Sequence, residues 1–375
     1  MRLIYNFFKI FSSPASISFA DQIIISLGNF TITIILVKYL GLEIFGQFSF
    51  LWLFLLLLNA IQISYIISPM FTNAPKQSIS NINLFYGGIF CQQLILATII
   101  FLIAHYVLKF FGDHISSYPI SKYFISFPFA IVAIQLQQFL RRLLFSKKLY
   151  FKAVLSDFIT YLSIVLLIIY LNHYNKLNIE SIFWSFVLAF SVGTIINSPV
   201  LLSLKYRLNN IYLSIKENWI IAKWMLVSSL LQWFSGNLWL VNVGIILGPV
   251  ILGVVRACLS IMNIANLILQ SLENIFLGEV SKKFKLESIN KMQIYLKRFA
   301  SRGLILILII TMFIIIFSKF LLTFFYGLEI AKYYYFLIFA SLTLPLAFLK
   351  LPLEYGLRTL GKTKPIFISY LLSSS

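Results

Sequence analysis

Ten apolar runs of membrane-spanning length divide this 375-residue chain, and within several of them the polar residues fall in single-sided stripes. A hydrocarbon core ~30 Å thick needs roughly 20 apolar residues to cross as a helix. A pattern repeated this often predicts an all-α, polytopic membrane protein, because lipid leaves a spanning backbone few other ways to pair its own polar groups. The stripes add a second constraint. A bundle that only had to fill space would not need them, so the interior is expected to be wet, as in a transporter.

The runs fall near residues 17–37, 45–67, 84–108, 123–144, 154–171, 181–202, 220–246, 250–277, 296–317 and 333–353, and an eleventh begins near Pro365. Hydrophobic residues make up 60% of the chain and charged residues 11%, which excludes a soluble globular domain of this length. The net charge of +19 raises the question of nucleic acid. The basic residues lie between the apolar runs, however, so membrane lipids and the positive-inside rule account for them and no nucleic-acid partner is expected. With the N-terminus inside, inner segments hold 23 Lys and Arg, outer segments hold 6, and Arg256 lies within a span. That imbalance predicts a cytoplasmic N-terminus.

Enzymatic signals are missing. The outer loops are short, with no room for a catalytic domain. No Walker A sequence provides ATP drive, and no His or Cys cluster suggests a metal or other cofactor. Cys91 and Cys258 sit inside predicted spans as small apolar residues. Residues 1–14 read as an interfacial helix, with Lys9 at the headgroups and Phe7, Phe8 and Phe11 in the acyl boundary, broken by Ser12-Ser13-Pro14.

The chain repeats itself. Leu40-Gly41 with Gly46, after the first span, matches Leu247-Gly248 with Gly253, after the seventh. Phe145-Ser146-Lys147 aligns with Leu360-Gly361-Lys362. Six spans separate the paired elements, so the halves face the same way, a parallel repeat about the membrane normal. The expected layout is an N-lobe of six spans (15–205), a cytoplasmic linker (206–219) and a C-lobe (220–375). The C-lobe holds about four and a half spans and is expected to be C-terminally incomplete.

The clearest stripe is on the eighth span: Arg256, Ser260, Asn263, Gln270 and Asn274 share one helical face, with Glu273 beside it. The seventh span has Ser228, Gln232, Ser235, Trp239 and Asn242; the first has Gln22, Ser26, Asn29 and Thr33; the fourth has Gln135, Gln137 and Gln138 above Arg141 and Arg142. Interhelical hydrogen bonds explain single residues of this kind. Stripes on repeat-related spans favour a hydrated cavity, and Asn29, Gln232, Trp239, Asn242, Arg256 and Asn263 are expected to line it, with Trp233 and Trp239 available for stacking. Arg256 either snorkels to the outer headgroups or holds an anion in the cavity. Asp21 and Glu273, near inner span ends, are each open to three roles: ion-pair partner, coupling-ion site or helix-end carboxylate.

Ala20-Asp21-Gln22, Lys38-Tyr39-Leu40-Gly41 and Phe45-Gly46-Gln47-Phe48 resemble the start of Wzx-type polysaccharide flippases, within the multidrug/oligosaccharidyl-lipid/polysaccharide (MOP) exporter superfamily. Leu247-Gly248-Pro249, Leu252-Gly253, Arg256-Ala257 and Leu272-Glu273-Asn274 resemble the matching element of the second half. The resemblance implies two helical bundles around a cavity that opens alternately to each side of the bacterial inner membrane. It implies a non-enzymatic flippase that moves undecaprenyl-pyrophosphate-linked oligosaccharides for O-antigen, capsule or other surface polysaccharide. Polymerase and chain-length proteins would be its partners. Rival readings are a drug/cation antiporter, which would favour an acidic cavity, and a peptidoglycan-precursor flippase. A membrane polysaccharide polymerase or ligase would need a large outer loop, and a remnant of a flippase gene would be inactive.

Overall fold

The computed structural model describes residues 14–112, 118, 120–286 and 289–359, with side chains described except at 14–15, 111, 208–210, 266–286, 289–292, 354–355 and 358–359. The interfacial helix expected before residue 14 and the span expected from Pro365 lie outside the described residues.

Two very long helices organise the molecule. Helix α1 runs Pro14–Gln62 and is interrupted at Gly41, where φ is 78° and ψ 171°. Helix α7 runs Leu208–Leu286 and is interrupted at Gly248, where φ is 83° and ψ 175°. A side chain at such a φ would be strained, so each Leu-Gly pair marks a reversal that only glycine makes freely. At 1.5 Å per residue, Gln22 and Leu56 would stand roughly 50 Å apart on a straight helix. Instead both line one cavity, so the limbs of α1 fold back on each other. The limbs of α7 do the same, since Trp239 and Cys258 border a single pocket.

The N-lobe adds α2 (Ser68–Asn73), α3 (Ile82–Phe111), α4 (Ser126–Ser146), α5 (Tyr150–His173) and α6 (Ile179–Asn197). A π-helical turn, Ile63–Ile67, joins α1 to α2. The C-lobe adds α8 (Ile289–Ile316), the short α9 (Ser318–Tyr326) and α10 (Leu328–Ala331), and α11 (Tyr334–Thr359). Seven helical segments are long and apolar enough to cross a membrane, and the two longest, Ser16–Lys76 and Ile211–Ala265, contain the glycine reversals. The ten apolar runs read from the sequence between residues 17 and 353 all fall largely on described helices. It is a multi-pass membrane protein of two helical bundles.

Local chemistry sets the connections. A capping box starts α6: the Asn178 side chain accepts from the Ser181 N–H, and the Ser181 hydroxyl accepts from the Asn178 N–H. Between α4 and α5, Lys148 takes φ 61° in a tight turn closed by Lys147 N–H to Leu143 O and Leu149 N–H to Leu144 O. The residues read as a linker (206–219) are largely helical, because α7 begins at Leu208. Its start is pinned to the N-lobe. Asn73 Nδ2 donates to Asn218 Oδ1 at 3.0 Å, Asn218 Nδ2 donates to Gln92 Oε1 at 3.2 Å, and Trp219 meets the edge of Tyr65.

The lobes meet where the two reversals cross. A Cβ on Gly46 would collide with the Pro249 carbonyl oxygen, and a Cβ on Gly253 would collide with the Leu42 carbonyl oxygen. Each partner is the residue after the other lobe's turn glycine, so the crossing obeys the internal repeat. Nearby, the Tyr118 hydroxyl donates to Gly244 O at 3.0 Å while its ring stacks on Phe50 at 4.2 Å. These contacts close the turn end of the molecule.

Candidate functional site: the cavity between the bundles

Below this crossing lies a cavity of about 370 Å³. The first limb of α1 contributes Gln22, Ser26, Asn29 and Thr33, and the second limb of α7 contributes Arg256, Ser260 and Asn263. Two of the stripes seen in the sequence therefore converge on one space. Phe45, Phe48, Ser49 and Trp52 from the second limb of α1 and Phe186 from α6 form an opposing, largely aromatic wall, and Ile25, Ile32, Leu56 and Ile264 add aliphatic surface. No acidic side chain is among the described lining residues.

Arg256 stands eight residues past the Gly248 turn, about 12 Å along the helix. Among the described residues no acidic side chain pairs with it. A charge half-buried in a cavity without a counter-ion is costly unless water or an anionic ligand compensates it. Guanidinium carries a planar donor fork suited to phosphate. The Ser260 hydroxyl is already bonded to the Tyr326 hydroxyl and the Ala257 carbonyl, so of the three lining side chains from α7 Arg256 and Asn263 are the ones with polar groups to offer a ligand.

Asn29 is set in place from behind. The Tyr161 hydroxyl bonds its side chain, and Tyr161 fits only because residue 28 is glycine: a Cβ there would sit 2.5 Å from the ring. Behind Tyr161 is a buried charge cluster. Arg141 Nη1 donates to Asp21 Oδ2 at 2.9 Å and to Asp157 Oδ2 at 3.1 Å, and Gln137 Nε2 donates to Asp157 Oδ1 at 2.6 Å. All three charged side chains are at most 6% exposed. In the sequence Arg141 counts as one more inner-end cation. The structure makes it the counter-ion of Asp21, and nothing in the spacing of residues 21, 141 and 157 signals that.

Gln232, Asn242 and Trp239 are not brought to this cavity. Gln232 and Asn242 are exposed on the first limb of α7, whose lower end is held against the N-lobe. Trp239 borders a separate apolar pocket between α7 and α11, with its indole N–H given to Gly236 O at 3.0 Å. Trp233 is buried. The helical period shows that α7 has a polar face, but packing alone decides what that face meets. Gln135 and Gln137 likewise point into the N-lobe interior. The side chains of Glu273, Gln270 and Asn274 lie outside the described residues. Trp52, the tryptophan that does line the cavity, lies in the sequence inside an unbroken apolar run and carries no signal there.

Comparison with known proteins agrees with this architecture. Residues 225–375 match the MatE family model. The structure of the lipid II flippase MurJ in an inward closed conformation superposes with a TM-score of 0.74 at 14% identity, covering 96% of this chain and 78% of that one. A point mutant of the Vibrio cholerae MATE transporter VcmN gives 0.63 at 15% identity, covering 96% and 84%. A MOP superfamily transporter from Pyrococcus furiosus, described as having a binding pocket of reverse polarity, gives 0.61 at 13%, covering 95% and 82%. A search of curated proteins finds no match. The chain thus shares the fold of these transporter structures, and residues 225–375, less than half of it, match the MatE family model.

Proposed function

We propose that this protein is a flippase that carries lipid-linked oligosaccharide pyrophosphates across the bacterial cytoplasmic membrane by alternating access, with its N-terminus in the cytoplasm. The observation that supports this reading best is Arg256, a guanidinium without an acidic neighbour among the described residues, in an acid-free cavity of amides and hydroxyls. Such a lining solvates a pyrophosphate and sugar hydroxyls, while the polyprenyl tail stays in the bilayer. The internal repeat and the crossing at Gly46 and Gly253 suit a molecule that rocks one bundle against the other. The 23-to-6 charge imbalance supports the orientation.

The MatE match, with the likeness to the structure of a multidrug resistance MATE family transporter, favours a second reading, a drug/cation antiporter. An organic cation would need acidic or neutral walls, and Arg256 would repel it. Complementation of a flippase-deficient strain separates the two. Arg256→Ala is expected to abolish surface polysaccharide while the protein stays at its normal level in the membrane. Arg256→Lys is expected to restore part of it, since an ammonium keeps the charge and loses the fork. Full export by the Ala variant would end the anion-site reading.

A further inference from the structure

Resting on that reading, we infer that the cavity has two adjoining subsites, with Arg256 holding the pyrophosphate and Trp52 serving as the stacking shelf for the first sugar. Gly46 and Gly253 mark the crossing of the two lobes. Arg256 lies three residues beyond Gly253, and its counterpart in the repeat, Ser49, lies three beyond Gly46; both line the cavity. The two positions are therefore at one depth, facing across the pseudo-twofold axis. Trp52 is a further three residues along, about one helical turn or ~5 Å deeper. A glycosyl pyrophosphate has its first ring bonded directly to phosphate, so its recognition requires an anion site and a ring site placed side by side in this way.

The aromatic wall is built to present one ring. Phe48 and Phe186 are buried, 5.6 and 5.7 Å from the Trp52 ring centre, and they meet each other edge-on at 6.1 Å. They hold Trp52 from behind and beside it. Trp52 is only partly buried and keeps surface toward the cavity. The apolar C–H face of a pyranose packs on such a ring, and Asn29 and Asn263 supply amides for the hydroxyls at its edge. Asn29 is itself oriented by Tyr161. A site for a planar drug would share the aromatic wall but would gain nothing from the cation beside it.

Binding of two probes to the purified full chain tests this. One is undecaprenyl pyrophosphate, which has the anion and no ring; the other is undecaprenyl-pyrophosphoryl N-acetylglucosamine. Trp52→Leu, which keeps apolar bulk and removes the ring, is expected to weaken the glycosylated probe about tenfold and leave the bare pyrophosphate unchanged. Trp52→Phe is expected to recover most of the loss. Arg256→Ala is expected to weaken both probes. If Trp52→Leu changes neither probe, or weakens both equally, the shelf is refuted while the anion site stands. If the unmodified chain binds neither, or Arg256→Ala changes neither, the reading beneath it fails instead.

Discussion

At the scale of single residues, the chain spends its buried charges in two ways. Arg256 is left without an acidic neighbour among the described residues and faces a cavity. Arg141 is packed between two carboxylates and faces none. A buried ion pair does not by itself add much stability, but removing one partner strands the others. Arg141→Leu leaves Asp21 and Asp157 without their cation inside a bundle. The expected cost is about 3–5 kcal/mol, seen as a large drop in the midpoint of thermal unfolding in detergent and in the amount of protein in the membrane. An Arg141→Leu protein as stable as the parent would show that the cluster is not structural. Gly28→Ala acts on the same layer more gently. The added methyl displaces the Tyr161 ring and with it Asn29, so transport should fall while the protein remains folded and membrane-inserted. Of the three roles the sequence left open for Asp21, the structure supplies an ion pair. The reason it could not be read earlier is that residues 21, 141 and 157 come together only through helix packing.

At the scale of elements, two copies of one device matter most. A helix breaks at a Leu-Gly pair with φ near 80°, and five residues later a second glycine lets the other copy's backbone pass. The repeat was legible because it is a matter of local conformation, and glycine is needed wherever the backbone takes that φ. That the two copies touch was not legible, since nothing in either segment names the other. Gly46→Val and Gly253→Val each place carbon where a carbonyl oxygen now lies. Either should part the lobes at the turn end. A cysteine at Ser49, just below the crossing, is then expected to react several-fold faster with a membrane-impermeant thiol reagent added from that side. Unchanged labelling in a stable variant would show that the crossing is not the seal. Helix α7 shows the limit of periodicity. Its stripe of Gln232, Trp239 and Asn242 is as regular as that of α1, yet the cavity wall on the second-lobe side comes from the other limb of α7. A period of 3.6 residues reports that one face is polar. The rotation and tilt of the neighbouring helices determine whether that face meets the cavity, another helix or the outside.

At the scale of the whole molecule, orientation is the claim most open to a direct test. Lys148 sits exposed in the tight turn between α4 and α5, within the most basic of the N-lobe connections. A cysteine placed there is expected to be protected from impermeant reagents in intact cells and to label once the membrane is permeabilised. Labelling in intact cells would invert the topology. The sequence by itself determined the all-α membrane fold class, the repeated Leu-Gly reversals and the polar faces of α1 and of the second limb of α7. These follow from solvent: lipid demands long apolar helices, a polar residue in lipid is costly, and glycine alone relaxes the reversals. Only the tertiary structure decided that Arg141 belongs to Asp21 and Asp157, that the lobes touch at Gly46 and Gly253, and that Trp52 rather than Trp239 lines the cavity that Arg256 lines. Those are relations between segments far apart in the chain, set by how side chains interlock when helices pack, and no local pattern encodes them.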